Sequence, residues 1–195
     1  MRLVIFSRHA NSNLNVEGRV NGDPSLPVSL TESGRAEARS LGLQLAHVGL
    51  ELCVHTRFGR TRETASLALG GRGVPFVVEP LLDDINVGDL EGVTIEAYRA
   101  WKREHARSEP FPGGESLDDA GRRYVEGYRK LLERPECGIL VVCHEIPIRY
   151  GLNAAGGSDD LDAPVRVIPN ATPYLFDETM LAAAAERIAA LVPGA

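Results

Sequence analysis

The fold is decided by the stretch LVIFSRH at residues 3–9, a short β-rich run that ends directly on Arg8 and His9. A later run, GILVVC at residues 138–143, ends in the same way on His144. Neither run alternates apolar and polar residues, which is typical of strands buried on both faces of a parallel sheet. Because reactive groups collect at the carboxyl ends of such strands, we expect His9 and His144 to face each other across one crevice.

The length and composition of the chain predict one globular domain over residues 1–195, long enough to bury a core. Its 44% hydrophobic content is ordinary, and its net charge of −6 argues against a nucleic-acid partner. We expect no signal peptide, because the first apolar run soon reaches the charged Arg8-His9 pair and lacks a long apolar core and a cleavage site. We also expect no membrane contact, because no apolar stretch approaches the length of a membrane span. The three cysteines form no metal or disulfide pattern, which favours free thiols in a reducing cytoplasm.

Apolar runs and amphipathic segments alternate along the rest of the chain. Further strands are predicted near residues 50–54, 74–78, 165–168 and 172–176. Helices are predicted near 31–48, 60–69, 94–107 and 116–134, from His144 to Gly156-Gly157, and at the alanine-rich end, with long loops at 10–30 and 81–92. This alternation predicts an α/β fold, a three-layer α/β/α sandwich with a largely parallel central sheet.

The segment RHANSNLN at residues 8–15 resembles the signature of the histidine phosphatase superfamily, also called phosphoglycerate mutase-like. That signature is Arg-His-Gly, then Thr two residues after the Gly and Asn three further on; here Ala10 replaces the Gly and Ser12 the Thr. The resemblance continues, in the family's order, through RVNG (19–22), LTESG (30–34), RTRETA (60–65), DINVGDLEG (84–92), GGES (113–116) and His144. A lone Arg-His pair would be weak support, whereas ordered blocks over residues 1 to about 150 are specific.

The resemblance implies a nucleophile and a set of phosphate-binding groups that also make physical sense. Phosphoryl transfer depends mostly on positioning and charge stabilisation. Arg8 and Arg60 offer planar forks of donors that match phosphate geometry, and His144 would add a third cation if it is protonated. His9 must be neutral at one ring nitrogen to attack, while its other N–H needs an acceptor, which we expect to be a backbone carbonyl in the following loop.

Neutral donors and loop residues complete the predicted site. Ser12 and Asn15 would donate to the phosphate. For Arg19 and Asn21 two interpretations stay open, because a turn-forming or loop-pinning role is about as plausible as substrate contact.

The leaving oxygen needs a proton, and here the chain departs from the family pattern. The family places Glu where this chain has Asp84, one methylene shorter, and the shorter side chain still serves if it reaches the leaving oxygen. Glu145 follows the second histidine, where the family usually has a small residue and a larger branch uses an Asp as proton donor. We favour Asp84 as the acid, with Glu145 as a rival donor or a first-turn residue that stabilises its helix.

These features predict a cytoplasmic phosphatase that needs no cofactor or metal and hydrolyses a small phosphorylated metabolite through a phosphohistidine. A mutase of the same superfamily is the nearest alternative, but only about thirty residues separate Asp84 from Gly114, whereas the family's mutases carry a longer insert. A non-catalytic protein that binds phosphate ligands or inorganic phosphate is the third. Substrate and oligomeric state are not set by the sequence. Four basic and aromatic residues on one predicted helix could select the substrate, but packing in the core or exposure to solvent is equally consistent with the sequence (Tyr98, Trp101, Lys102, Arg103).

Overall fold

A five-stranded sheet forms the centre of the protein, shown here by a computed structural model that describes residues 2–192 and 194. The strands are β1 (Leu3–Arg8), β2 (Leu52–His55), β3 (Phe76–Val78), β4 (Gly138–Cys143) and β5 (Pro173–Asp177). Their order across the sheet is β3-β2-β4-β1-β5. All pairs are parallel except β1 with β5, which is antiparallel, so the predicted largely parallel sheet is confirmed.

Helices cover both faces of this sheet. They are α1 (Asn13–Val16), α2 (Glu32–Gln44), α3 (Gly59–Ala68), α4 (Ile95–Glu104), α5 (Leu117–Leu132), α6 (Glu145–Ala155) and α7 (Glu178–Leu191). One core lies between the sheet, where Ile5 points, and helices α2 and α3. The other lies between the opposite face, where Val4 and Phe6 point, and helices α5, α6 and α7. This arrangement is the predicted three-layer α/β/α sandwich. None of the helices in the described residues is long and apolar enough to span a membrane.

Helix ends follow the sequence signals closely. Thr31 caps α2 by accepting a hydrogen bond from the backbone N–H of Gly34 at 3.0 Å. Ser116 and Asp119 form the capping box that the sequence suggested at the start of α5. Helix α2 ends at Gln44, so the apolar residues predicted to extend it as far as 48 lie in the turn that follows.

The register of the two central strands places the two histidines side by side. Leu3 pairs with Gly138 at the start of β1 and β4, and Arg8 pairs with Cys143 at their end. The backbone N–H of His9 then donates to the carbonyl of Cys143 at 2.9 Å, which extends this pairing by one residue. His9 and His144 therefore leave the sheet together.

Three predicted elements differ from the structure. The strand expected at residues 165–168 is absent, because its backbone groups bond side chains: the N–H of Val165 donates to Asn153 Oδ1, and the carbonyl of Ile168 accepts from Arg8. The loop expected at 10–30 contains the short helix α1. The edge strand predicted at 74–78 begins only at Phe76.

Candidate active site

A cleft of about 670 Å³ opens where the central strands end. All predicted site residues line it (Arg8, His9, Ser12, Asn15, Arg19, Asn21, Arg60, Asp84 and Glu145) except His144. His144 is fully buried, and its ring centroid lies 5.5 Å from that of His9. The fold thus brings residues that are far apart in sequence together at the carboxyl ends of the central strands.

His9 is held in the tautomer that a nucleophile needs. Its Nδ1 lies 2.9 Å from the carbonyl oxygen of Ala10, which fixes the proton on Nδ1 and is the backbone acceptor expected from the sequence. Its Nε2 accepts a hydrogen bond from Arg60 Nε at 3.0 Å, so this nitrogen carries a lone pair. Burial, together with the charges of Arg60 and Arg8, holds the pKa of His9 well below its ordinary value. The ring is therefore neutral at neutral pH.

Arg60, near the start of α3, is the most connected cation in the cleft and is only 4% exposed. Its Nη2 donates to the backbone carbonyl of Asn21 and to Asp84 Oδ2, both at 3.2 Å, and its Nη1 donates to Asn21 Oδ1. Its guanidinium also lies 4.3 Å from the centroid of the Phe58 ring. These contacts fix the plane of the donor fork beside His9.

Asn21 positions Arg60 and the loop around Gly22. Its side chain is buried, accepts from Arg60 and donates to Glu91 Oε1 at 2.9 Å. Glu91 in turn accepts from the backbone N–H groups of Gly22 and Asp23. The contacts thus match loop pinning, the first of the two interpretations left open for this residue.

Arg8, at the end of β1, has an unused donor. Its Nη1 donates to the carbonyl of Ile168 and forms an ion pair with Glu145 Oε2, both at 2.8 Å. Its Nε is buried and has no hydrogen-bond partner within residues 2–192 and 194. An unsatisfied buried donor is costly, and a phosphate oxygen is the type of acceptor that would satisfy it.

His144 differs from the cationic donor considered from the sequence. Burial and the charge of Arg60 hold its pKa well below the ordinary value, so its ring is neutral at neutral pH. Its Nε2 bonds the Thr56 hydroxyl at 2.9 Å. Its Nδ1 lies 3.3 Å from Arg60 Nη2 and 3.4 Å from Asp84 Oδ2. A bound phosphate dianion would oppose the lowering of its pKa by the nearby cations.

The two candidate acids have different surroundings. Burial raises the pKa of Asp84, against the opposing charge of Arg60, so this carboxyl keeps its proton to higher pH than an ordinary Asp. Glu145 instead divides its two oxygens between arginines, with Oε2 on Arg8 at 2.8 Å and Oε1 on Arg149 at 2.7 Å. Glu145 is thus held between two arginines, whereas Asp84 is a buried carboxyl in the cleft whose pKa is raised.

The remaining predicted residues, Ser12, Asn15 and Arg19, also line the cleft. The backbone N–H and hydroxyl of Ser12 both donate to Asn15 Oδ1, at 3.1 and 3.0 Å. The amide NH₂ of Asn15 is thus the group that this pair presents as a donor. Arg19 is half exposed, and its Nη1 donates to the carbonyl of Gly92 at 2.6 Å, which ties together two loops.

Several cleft residues were not singled out from the sequence. Arg149 and Asp162 form an ion pair at 2.7 Å, and Arg99 and Arg166 also line the cleft. The spacing of four residues between Glu145 and Arg149 on one helix was a usable signal for their contact. Of the residues left open on α4, Tyr98, Lys102 and Arg103 line the cleft, whereas Trp101 packs on Phe111 and His105. Within the described ranges no group of three or more His, Cys, Asp or Glu could hold a metal ion.

Comparison with known proteins agrees with this geometry. Residues 4–179 match the histidine phosphatase superfamily (branch 1), and the chain belongs to this superfamily. It is 32% identical over 164 residues to 2,3-bisphosphoglycerate-dependent phosphoglycerate mutase 2 of Gloeobacter violaceus, covering 76% of this chain and 73% of the relative. Among solved structures, YhfR of Bacillus stearothermophilus is similar with a TM-score of 0.79 and 28% identity, over 91% of both chains. The α-ribazole phosphatase of Shigella flexneri is similar with a TM-score of 0.71 and 25% identity, over 80% of both chains.

Proposed function

We propose that this protein is a phosphomonoester hydrolase that acts on a small phosphorylated metabolite through a phosphohistidine on His9. The observation that carries the proposal is the state of His9, whose Nδ1 is fixed by Ala10 while its Nε2 keeps a lone pair beside Arg60. A buried neutral imidazole with cationic donors around it is suited to attack a phosphate. The likeness to an α-ribazole phosphatase is in keeping with hydrolysis.

The first half of the reaction transfers the phosphoryl group to the protein. The bound phosphate takes over the Arg60 N–H that now bonds His9 Nε2, and Arg8 Nε supplies a further donor. Nε2 then forms a bond to phosphorus while the bond from phosphorus to the ester oxygen breaks. The departing alkoxide takes a proton from Asp84, and the raised pKa of this carboxyl favours its protonated form more than in an ordinary Asp.

The second half releases inorganic phosphate. Asp84, now a carboxylate, takes a proton from a water molecule as that water attacks phosphorus. The bond between phosphorus and Nε2 breaks, and the imidazole regains its lone pair. Asp84 is protonated again, so the protein returns to its initial state without a cofactor.

A mutase is the second candidate, and the 32% identity to a phosphoglycerate mutase favours it. It would transfer the phosphoryl group from His9 to another alcohol rather than to water. We prefer hydrolysis because the segment from Asp84 to Gly114 is short and contains a single α-helix, α4. A protein that only binds phosphate ligands is less well supported, because the nucleophile, both arginines and the acid lie together. We further propose that residues 1–195 act as one domain in the cytoplasm.

Phosphorus NMR of a panel of phosphorylated metabolites tests this proposal, because it separates free phosphate from an isomerised ester. We expect free phosphate from at least one ester with the wild-type protein and none with His9→Ala. The exposed His47, outside the cleft, gives a matched control, and His47→Ala should retain turnover. Accumulation of an isomerised ester without free phosphate would identify a mutase instead.

A further inference from the structure

Asp84 lies on the segment between β3 and α4, of which we call residues 81–86 the acid loop. Leu82 and Ile85 are buried in the core and anchor this loop. Asp84 and Asn86, by contrast, also line a second cavity of about 590 Å³. The acid loop is thus packed against the core at two residues but borders open space beside the acid itself.

The side chain of Arg123, on α5, bonds the backbone of the acid loop. Its Nη1 donates to the carbonyls of Leu81 and Asp83, at 2.9 and 3.0 Å. Its Nη2 donates to the carbonyl of Asp84 at 3.3 Å. The guanidinium also lies 4.8 Å from the centroid of the buried Tyr124 ring. One planar fork, supported by an aromatic ring, therefore holds three carbonyls of the loop.

Glu115, two residues before α5, holds the far end of the acid loop. Its Oε1 accepts from Arg123 Nη2 at 2.6 Å and from the backbone N–H of Asn86 at 2.9 Å. The backbone N–H of Glu115 in turn donates to the carbonyl of Asn86 at 2.9 Å. We call Arg123 and Glu115 the clamp. It bonds the chain on both sides of Asp84, through charge-assisted hydrogen bonds of a partly buried ion pair.

We propose that Arg123 and Glu115 are positioning residues, which hold the acid loop so that the Asp84 carboxyl reaches the leaving oxygen of the substrate. This inference rests on the proposed function and on Asp84 as its acid. Among the described residues, the two members of the clamp line the second cavity and not the cleft, so they act through Asp84 and do not touch the substrate.

The identity of the acid makes its placement demanding. Asp has one methylene fewer than Glu, so the side chain of Asp84 has less freedom to compensate for a displaced backbone. Proton transfer requires the acid to lie within hydrogen-bond reach of the leaving oxygen. A misplacement of about 1 Å can cost about 100-fold in rate. Loss of the clamp should therefore act on the proton-transfer step.

The dependence of the rate on the leaving group tests the clamp. The measured quantity is the kcat/KM for 4-nitrophenyl phosphate divided by that for the alkyl phosphate that the wild-type protein hydrolyses fastest. We expect R123Q to raise this ratio by about 10–100-fold, because an alkoxide needs the acid and nitrophenolate does not. In the D84N background R123Q should change the ratio by less than about twofold, since the group through which Arg123 acts is gone. A merely structural role would lower both rates alike.

R129Q is the matched control, because Arg129 lies on the same helix and pairs with Glu126 and Glu186. It should keep the wild-type ratio. E115A is the second variant of the clamp, and the cavity beside Glu115 accommodates the change without a clash. If R123Q does not fold, E115A is measured in its place, alone and with D84N, and the same criteria apply.

The outcomes separate the clamp from the function. An unchanged ratio in R123Q, or a rise that is equally large in the D84N background, overturns the positioning role. A D84N variant that affects both substrates equally overturns it too. If the wild-type protein releases phosphate from no ester, the proposed function fails, and hydrogen exchange of the Asn86 backbone N–H tests the clamp instead. This exchange should be faster in R123Q than in R129Q, and equal rates would overturn the inference.

Discussion

Replacing Asp84 with Asn should slow hydrolysis of alkyl phosphates far more than hydrolysis of 4-nitrophenyl phosphate. An alkoxide leaves poorly without a proton, whereas nitrophenolate leaves well unprotonated. Asp84 is placed to donate a proton, because it lines the cleft beside His9 and burial raises its pKa against the opposing charge of Arg60. Loss of a general acid typically lowers the rate by about 10²–10⁴-fold.

The magnitude separates the acid role from the other contacts of Asp84. Asp84→Asn also removes the ion pair with Arg60, and this loss affects both substrates alike. The difference between substrates therefore isolates the proton: we expect a loss of about 100-fold or more for an alkyl phosphate, which is about 2.7 kcal/mol of transition-state stabilisation, beyond the loss for the nitrophenyl ester.

Steady-state kcat/KM for both substrates is the assay, with Glu145→Gln as the matched acid replacement. Glu145 bonds Arg8 and Arg149, so its loss should affect both substrates by similar factors. Equal losses for both substrates in Asp84→Asn would refute the acid assignment. A loss that depends on the leaving group in Glu145→Gln would transfer the role to Glu145.

Other consequences follow from the site. Arg60→Ala should lower kcat by about 100-fold or more, as expected for a preorganised charge donor, and should weaken competitive inhibition by vanadate; near-wild-type kinetics would contradict its placement. The lowered pKa values of His9 and His144 mean that the unfolded state binds more protons below pH about 6.5, so stability should fall as pH drops, by up to about 1.4 kcal/mol per pH unit for each histidine. Urea unfolding should show a shallower fall in His144→Gln but not in His47→Gln. Thr56→Val should destabilise the fold by about 1 kcal/mol in the same assay, because it removes the hydrogen bond to His144; an unchanged midpoint would contradict this.

The central strands were predictable because a short run of consecutive residues is enough to indicate each of them. The runs at residues 3–8 and 138–143 are apolar without alternation, and both form strands buried in the middle of the sheet. The edges were less predictable, because pairing at an edge depends on distant segments. Residues 165–168 have strand-like composition, yet their backbone groups bond the side chains of Arg8 and Asn153.

Some features of the candidate site were predictable from local sequence, and others depend on tertiary packing. The joint position of His9 and His144 follows from two strand ends, which the sequence shows directly. The charge state of His144 does not, because its neutral form results from burial and from Arg60, which is far away in sequence. The ties of Asp162 to Lys102 and Arg149 likewise join segments whose contact depends on tertiary packing.

The central claim is that a phosphohistidine forms on His9, and trapping it is the most direct measurement. After rapid quenching with a labelled phosphate ester, we expect a protein-bound phosphoryl group that is labile in acid and stable in base, mapped to His9 by mass spectrometry. His9→Ala should show no label. Recovery of the label on a Ser, an Asp or His144 would show that His9 is not the nucleophile. Turnover without any labelled protein, under conditions that trap other phosphohistidines, would show that no phosphohistidine forms.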